Sequence, residues 1–291
     1  MVEKRKKHTI TTFDKKDYYH NWKQINKNLA QRWDSVIAHN PHHLIGKTIS
    51  DTYWIEAMIT LLGKWMPKKK GLKLLKFDLY NEATGTAEVT QWFIKRGYDF
   101  YGVDISKEVI KRARKNFKKN IPISHFALGD IRKLPFKQNT FDIVFSFGTI
   151  EHIRENQQAV NEAFRVLKPN GLFISGVNNR LDMWGSYFIY ELTNKIFKHM
   201  TSYEPTFFPW TQKKWLLNAG FKDVRIDGML MIPHGMRYAD LLITWKIKNK
   251  SLHGLWKYIM HACIFISKRL DSIDFLRFFA VQTISLGYKK K

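Results

Sequence analysis

The sequence predicts an α/β fold whose parallel sheet is covered on both faces by helices. Three observations carry that expectation. From residue 72 onward, short apolar runs alternate with stretches that repeat at helical spacing. The apolar runs are nearly continuous, as in strands buried on both faces. Turn formers such as Pro169-Asn170-Gly171 end the helical stretches where a strand should begin.

The elements follow in order. Residues 15–38 and 53–66 read as helices, the first with Ile25, Leu29, Trp33 and Ile37 on one stripe, and Pro67 and Gly71 close this section. Strands are expected over 72–80, 99–105, 123–128, 141–147 and 171–177, with helices over 84–96, 107–119 and 156–167 between them. An aromatic segment (181–210), a helix (211–219), a strand (221–229), a helical stretch (235–270) and a last strand (278–288) complete the chain. This divides the chain into an N-terminal helical extension, 1–70, and an α/β domain, 71–291, with inserts at 181–210 and 235–270.

With 291 residues, 44% of them hydrophobic, the sequence supports a sizeable core and excludes a disordered chain. The lone Cys263 has no intrachain partner for a disulfide, which points to a reducing, cytoplasmic compartment. Residues 1–7 are charged and lack the apolar core of a secretory signal. The longest apolar stretch, 255–266, is broken by Lys257 and His261 and is too short to span a bilayer. Net charge is +24, with 36 Lys and 13 Arg. Nucleic acid, an anionic membrane surface or an acidic substrate are each compatible with that charge, as is a plain compositional bias. The dominance of Lys weighs against phosphate reading, which favours the planar fork of Arg. Specific nucleic acid binding is therefore not expected, whereas peripheral contact with an anionic membrane stays open.

In sheets of this kind, ligands bind beyond the carboxyl ends of the strands at the topological switch point. Four segments should meet there. The first is Asp78-Leu79-Tyr80-Asn81-Glu82-Ala83-Thr84-Gly85, a turn that brings backbone N–H groups and a helix start toward a ligand. The second ends in Asp104-Ile105, 19 residues beyond Gly85, where a carboxylate can accept from vicinal ribose hydroxyls. The third is Gly129-Asp130-Ile131, whose acid can reach an adenine amino group. The fourth runs through Ser146 and Phe147 to Glu151-His152. Singly, Asp104 and Asp130 read equally well as helix caps or turn residues; it is their order and spacing that makes a nucleoside site.

Residues 72–229 resemble the class I methyltransferases, particularly the small-molecule group that includes quinone-biosynthesis enzymes. The resemblance rests on Tyr101-Gly102-Val103-Asp104-Ile105-Ser106, Leu134-Pro135-Phe136, Phe141-Asp142-Ile143-Val144-Phe145-Ser146, Ile150-Glu151-His152-Ile153, Arg165 to Leu172 and Ala219-Gly220-Phe221. It implies a Rossmann-like, seven-stranded, mostly parallel sheet whose last strand is antiparallel. It also implies S-adenosyl-L-methionine as cofactor, held by Asp78, Tyr80, Glu82, Ala83, Thr84, Gly85, Asp104, Ile105, Asp130, Ile131, Ser146 and Phe147; no metal is expected. The family's first motif is an acid followed by three alternating glycines. Here Tyr80 and Ala83 stand where earlier glycines would fall, and the loop is one residue longer. Glu82 offers a carboxylate that could face the cofactor's positive charge in their place.

The expected activity is methyl transfer to a small apolar, aromatic or lipid-linked acceptor. His152 is the expected catalytic base where the acceptor must lose a proton, its alternative being a packing residue beside the cofactor. His199 and His234 flank the expected acceptor side, although each reads better as an ordinary surface residue. Trp184, Tyr187, Phe188, Tyr190, Phe197, Tyr203, Phe207, Phe208 and Trp210 could line an apolar acceptor pocket or simply pack on the core. A nicotinamide reductase would carry a Gly-x-Gly-x-x-Gly turn, which is missing. Amino-methylating nucleic acid enzymes carry an Asn/Asp-Pro-Pro-aromatic stretch where this chain has Ser146-Phe147-Gly148-Thr149. RNA methylation at ribose or ring carbon, and a non-catalytic binding protein on the same fold, remain as alternatives.

Overall fold

A computed structural model describes residues 29–39, 48–85, 87–117, 119, 121–185, 205–247 and 249–290. Two helices open it, α1 (Leu29–His39) and α2 (Ile49–Trp65). Then come β1 (Lys73–Phe77), α3 (Tyr80–Thr84), α4 (Glu88–Lys95), β2 (Asp99–Asp104), α5 (Lys107–Phe117) and β3 (Phe126–Leu128). β4 (Phe141–Phe147), α6 (Asn156–Val166), β5 (Leu167–Asn178), α7 (Pro209–Ala219) and β6 (Lys222–Met229) follow. The chain ends in α8 (His234–Lys246), α9 (Lys250–Asp271), α10 (Asp274–Arg277) and β7 (Gln282–Tyr288).

Among the described residues seven strands form one sheet in the order β3-β2-β1-β4-β5-β7-β6. β7 runs antiparallel to both of its neighbours, and the other pairs are parallel. The sheet is Rossmann-like, as expected, with the order reversing between β1 and β4. Each face carries its own core. Phe93, Phe100, Phe126 and Phe145 fill one side, and Phe77, Phe141, Phe173 and Phe221 the other. Nearly every inward position is apolar, which is why both faces need helices.

Three differences from the sequence expectation have local causes. β1 stops at Phe77 because Asp78 takes φ 61°, a left-handed conformation that a strand does not contain. The region 78–96, expected as a turn followed by one helix over 84–96, holds two helices: α3, a single turn inside the expected loop closed by Gly85 at φ 87°, where a residue without Cβ is favoured, and α4, shorter than the expected helix. The stretch 235–270 is also two helices. Asn249 breaks it, its side chain accepting from the N–H groups of Ser251 and Leu252 as an N-cap of α9.

α2, α8 and α9 pack together on one side of the sheet. Buried Asp240 of α8 accepts from the backbone N–H of Ser50 at 2.7 Å and from the indole of Trp256 at 2.8 Å. Trp54 donates to Gln282 of β7 at 3.0 Å, tying α2 to the sheet. Among the described residues no helix is long and apolar enough to cross a membrane.

Candidate cofactor site

A cavity of about 310 Å³ opens at the carboxyl ends of β1, β2 and β4, where the strand order reverses. Its acidic lining is Asp78, Asp104 and Asp130, one from the end of each of the first three strands or the turn beyond it. Val103, Ile105, Val109 and Ile131 supply an apolar wall beside Asp104 and Asp130. Phe147, Gly148, Thr149, His152 and Ile153 close the β4 side.

Asp104 lies almost wholly buried, with a backbone N–H on each carboxylate oxygen: Leu79 donates to one and Ser106 to the other, both at 2.8 Å. It therefore clamps the turn after β1 onto β2 and caps the turn into α5 in addition to facing the cavity. The close approach of that turn requires Gly102: a Cβ there would fall 2.4 Å from the side chain of Leu79. Burial pushes the Asp104 carboxyl up to about 7; the two N–H donors pull it down, and the nearby Asp78 charge adds to the rise.

Asp78 is held from three sides. The Lys76 ammonium donates to its carbonyl at 2.8 Å and to Oδ1 at 3.3 Å, Tyr80 N–H donates to Oδ1, and the Thr149 hydroxyl donates to Oδ2 at 2.6 Å. Those bonds hold the left-handed φ of Asp78 and join the β1 and β4 ends around the cavity. Lys76 is buried, and burial opposes its charge. Asp78 and Glu82 outweigh that penalty and hold its pKa above the ordinary lysine value.

Asp130 turns to Arg132, which donates to it from Nε and Nη2 and from its backbone N–H, and reaches Glu155 with Nη1 at 2.9 Å. Asp130 thus lines the cavity with its carboxylate already engaged. His152 lies edge-on to Trp33, the ring centroids 5.4 Å apart. Its Nδ1 is buried without a hydrogen-bond partner among the described residues. Burial, then the Arg32 charge, pushes its pKa down to about 4, so the ring is neutral at physiological pH.

Of the residues expected at the cofactor, the structure brings together Asp78, Tyr80, Asp104, Ile105, Asp130, Ile131 and Phe147, with His152 beside them. It does not place Glu82, Ala83, Thr84, Gly85 or Ser146 on the cavity wall. Glu82 is buried on α3, its carboxylate paired with Lys76 at 3.2 Å and accepting from Thr90 at 2.5 Å. The helical turn α3 rotates it away from the cavity and presents Tyr80 and Asn81 instead. The buried Ser146 hydroxyl has no partner among the described residues.

One wall escaped the sequence reading. Leu29, Arg32, Trp33 and Val36 of α1 close the cavity from outside the sheet. α1 is pinned there by Asp34, which accepts from the Ser106 hydroxyl at 2.5 Å and from Glu108 N–H at 3.1 Å. Leu29 and Trp33 were visible as a helical stripe, the ordinary signature of packing. An acid and an Arg flanking a Trp in that stripe is the one hint that it also faces a polar site.

Of the aromatic segment, Phe207, Phe208 and Trp210 pair with one another or with Trp215, and Trp184 donates to the Met231 carbonyl. None lines the cavity. Tyr187, Phe188, Tyr190, Phe197, His199, Tyr203 and the side chain of His234 lie outside the described residues, as do residues 15–28 of the first expected helix.

Residues 82–175 match the family model described as a methyltransferase domain. A ubiquinone/menaquinone biosynthesis C-methyltransferase of Roseobacter denitrificans is 37% identical over 123 residues, 40% of this chain and 45% of that protein. A demethylmenaquinone methyltransferase of Streptomyces griseus is 39% identical over 90 residues, 31% of this chain and 37% of that protein. The chain thus spans less than half the length of these two curated relatives. Among solved structures, phosphoethanolamine N-methyltransferase 2 of Haemonchus contortus, bound to S-adenosyl-L-methionine, superposes with a TM-score of 0.56 at 16% identity, covering 93% of this chain and 60% of that one. The [4+2]-cyclase SpnF superposes with a TM-score of 0.50 at 17% identity, covering 80% of each chain. At such identities the superpositions establish the fold.

Proposed function

We propose that this chain is a class I S-adenosylmethionine-dependent methyltransferase and that it transfers a methyl group to a small, ring-bearing, quinone-related acceptor. The observation that carries this reading is the cavity at the β1/β4 switch point, with Asp78 and Asp104 on its wall beside an apolar slot. The names of the curated relatives support the acceptor class.

The donor set fits the cofactor. Val103, Ile105, Val109 and Ile131 suit the faces of an adenine ring, and Asp104 keeps lone pairs for ribose hydroxyls beyond the two backbone bonds it accepts. Asp78 sets a carboxylate at the end of the site where a cationic methionine moiety would lie. When bound, the cofactor supplies an electrophilic methyl on a sulfonium that leaves as a neutral thioether. The chain's own work is to fix the approach line, since orientation removes much of the barrier to a direct displacement. Trp33, Phe147 and Ile153 add apolar lining to the cavity. Neutral His152 lines the cavity, where its ring can meet an acceptor hydroxyl.

A second reading, cofactor binding without transfer, is favoured by one observation: Tyr80 projects into the cavity where the family places a glycine. An assay with labelled S-adenosylmethionine and a demethylated naphthoquinol separates the two. Labelled quinol with stoichiometric S-adenosylhomocysteine supports transfer. Cofactor binding without label in any of a panel of quinols, phenols and RNA supports the second reading.

A further inference from the structure

We infer that the outward face of α9, continued by α10, docks on an anionic lipid surface. This inference is independent of the methyl-transfer reading. α9 is buried through Met260, Ile264 and Ser267, with Trp256 half-buried on the same side. A surface helix normally turns polar side chains outward from such a stripe. Here the opposite side is apolar: Leu252, Leu255, Tyr258, Ile259, Phe265 and Ile266 are all exposed, Tyr258 by 77% and Phe265 by 62%. α10 adds Phe275, 73% exposed. By helical spacing these α9 residues form one sector, and Lys250, Lys257, His261 and Lys268 fall together along one of its edges.

The charge pattern decides the occupant. Residues 250–270 contain no acid, so the sector and its basic edge are uniformly apolar or positive. The one acid of α9, Asp271 at its end, accepts from the Tyr53 hydroxyl, and two acids close to its last turns are paired as well: Glu56 with Lys268 at 3.0 Å, and Asp274 with Arg277 at 2.6 Å. An apolar stripe with aromatic and branched side chains, edged by Lys, is the pattern of a helix lying in the plane of a lipid interface. The net charge of +24 adds attraction toward anionic headgroups. A second copy of this chain would bring the same basic edge against itself, and a nucleic acid would leave the exposed Leu, Ile and Phe side chains without an apolar partner.

The test is co-sedimentation of the full chain with phosphatidylcholine vesicles, with and without phosphatidylglycerol. The parent is expected to bind the phosphatidylglycerol vesicles, and less as salt rises. Tyr258→Ser/Phe265→Ser/Phe275→Ser and Lys250→Glu/Lys257→Glu are each expected to weaken binding by about tenfold or more. All five positions are exposed, so melting curves should match the parent and show that the variants fold. Three results overturn the proposal: no binding of the parent to anionic vesicles, binding that survives the apolar triple variant, or a lipid-free dimer that Phe265→Ser dissociates.

Discussion

Asp104 accepts two backbone N–H bonds and still sits with its carboxyl pushed up to about 7, because burial outweighs both donors. Two opposite pH dependences follow. Folding raises this pKa above the unfolded value of about 3.9, so the protonated group is the one that folding favours. Its contribution to stability is complete below about 3.9 and is lost as pH rises through about 7. Ribose hydroxyls, by contrast, donate best to the ionised form. S-adenosylmethionine affinity is therefore expected to rise between pH about 6 and about 8, with proton release on binding. Calorimetry in buffers of different ionisation enthalpy reads this directly, and a flat profile without proton release would show that Asp104 does not meet the cofactor. His152, held down to about 4, should add no inflection in that range. A rate limb near neutrality that vanishes in His152→Asn would mean that substrate restores its basicity.

At the scale of elements, the turn after β1 is where sequence reasoning read least. The residues of β4 were legible one by one, since a continuous apolar run has few alternatives to a buried strand. The glycine-poor loop was legible as a departure but not as a shape. Its helical turn depends on Lys76, a strand residue that a strand-by-strand reading has no reason to pair with Glu82. If that buried pair shapes the turn, Lys76→Met leaves Glu82 uncompensated and should destabilise the fold by about 3–5 kcal/mol. Glu82→Gln, which leaves Lys76 its bond to Asp78, should cost about 1–3 kcal/mol. In the double variant the two costs should fall short of additive in denaturant titrations; strict additivity would mean that the pair is not coupled. α1 was legible as a helix and not as a cavity wall, because its role depends on one long-range contact from Asp34. Asp34→Ala should cost about 0.5–2 kcal/mol of stability through the lost cap and also lower cofactor affinity. Unchanged affinity by calorimetry would remove α1 from the site.

For the whole molecule, the mostly parallel seven-stranded sheet and its single antiparallel strand follow from an alternation visible in the sequence together with a family resemblance, and the cavity lies where such a sheet must leave a crevice. The helical inserts were less legible, because an apolar stripe at helical spacing does not say whether it faces a core or a lipid surface. Residues 250–271 carry apolar side chains on two sides, one buried against the core and one exposed. The central claim is that the crevice between β1 and β4 is an S-adenosylmethionine site. Calorimetric titration of the parent and of Asp104→Ala tests it most directly. The account predicts saturable binding to the parent with one cofactor per chain, weakened about 10- to 150-fold in a variant that still folds. No heat of binding to the parent at millimolar cofactor, or equal affinity in both proteins, would contradict it.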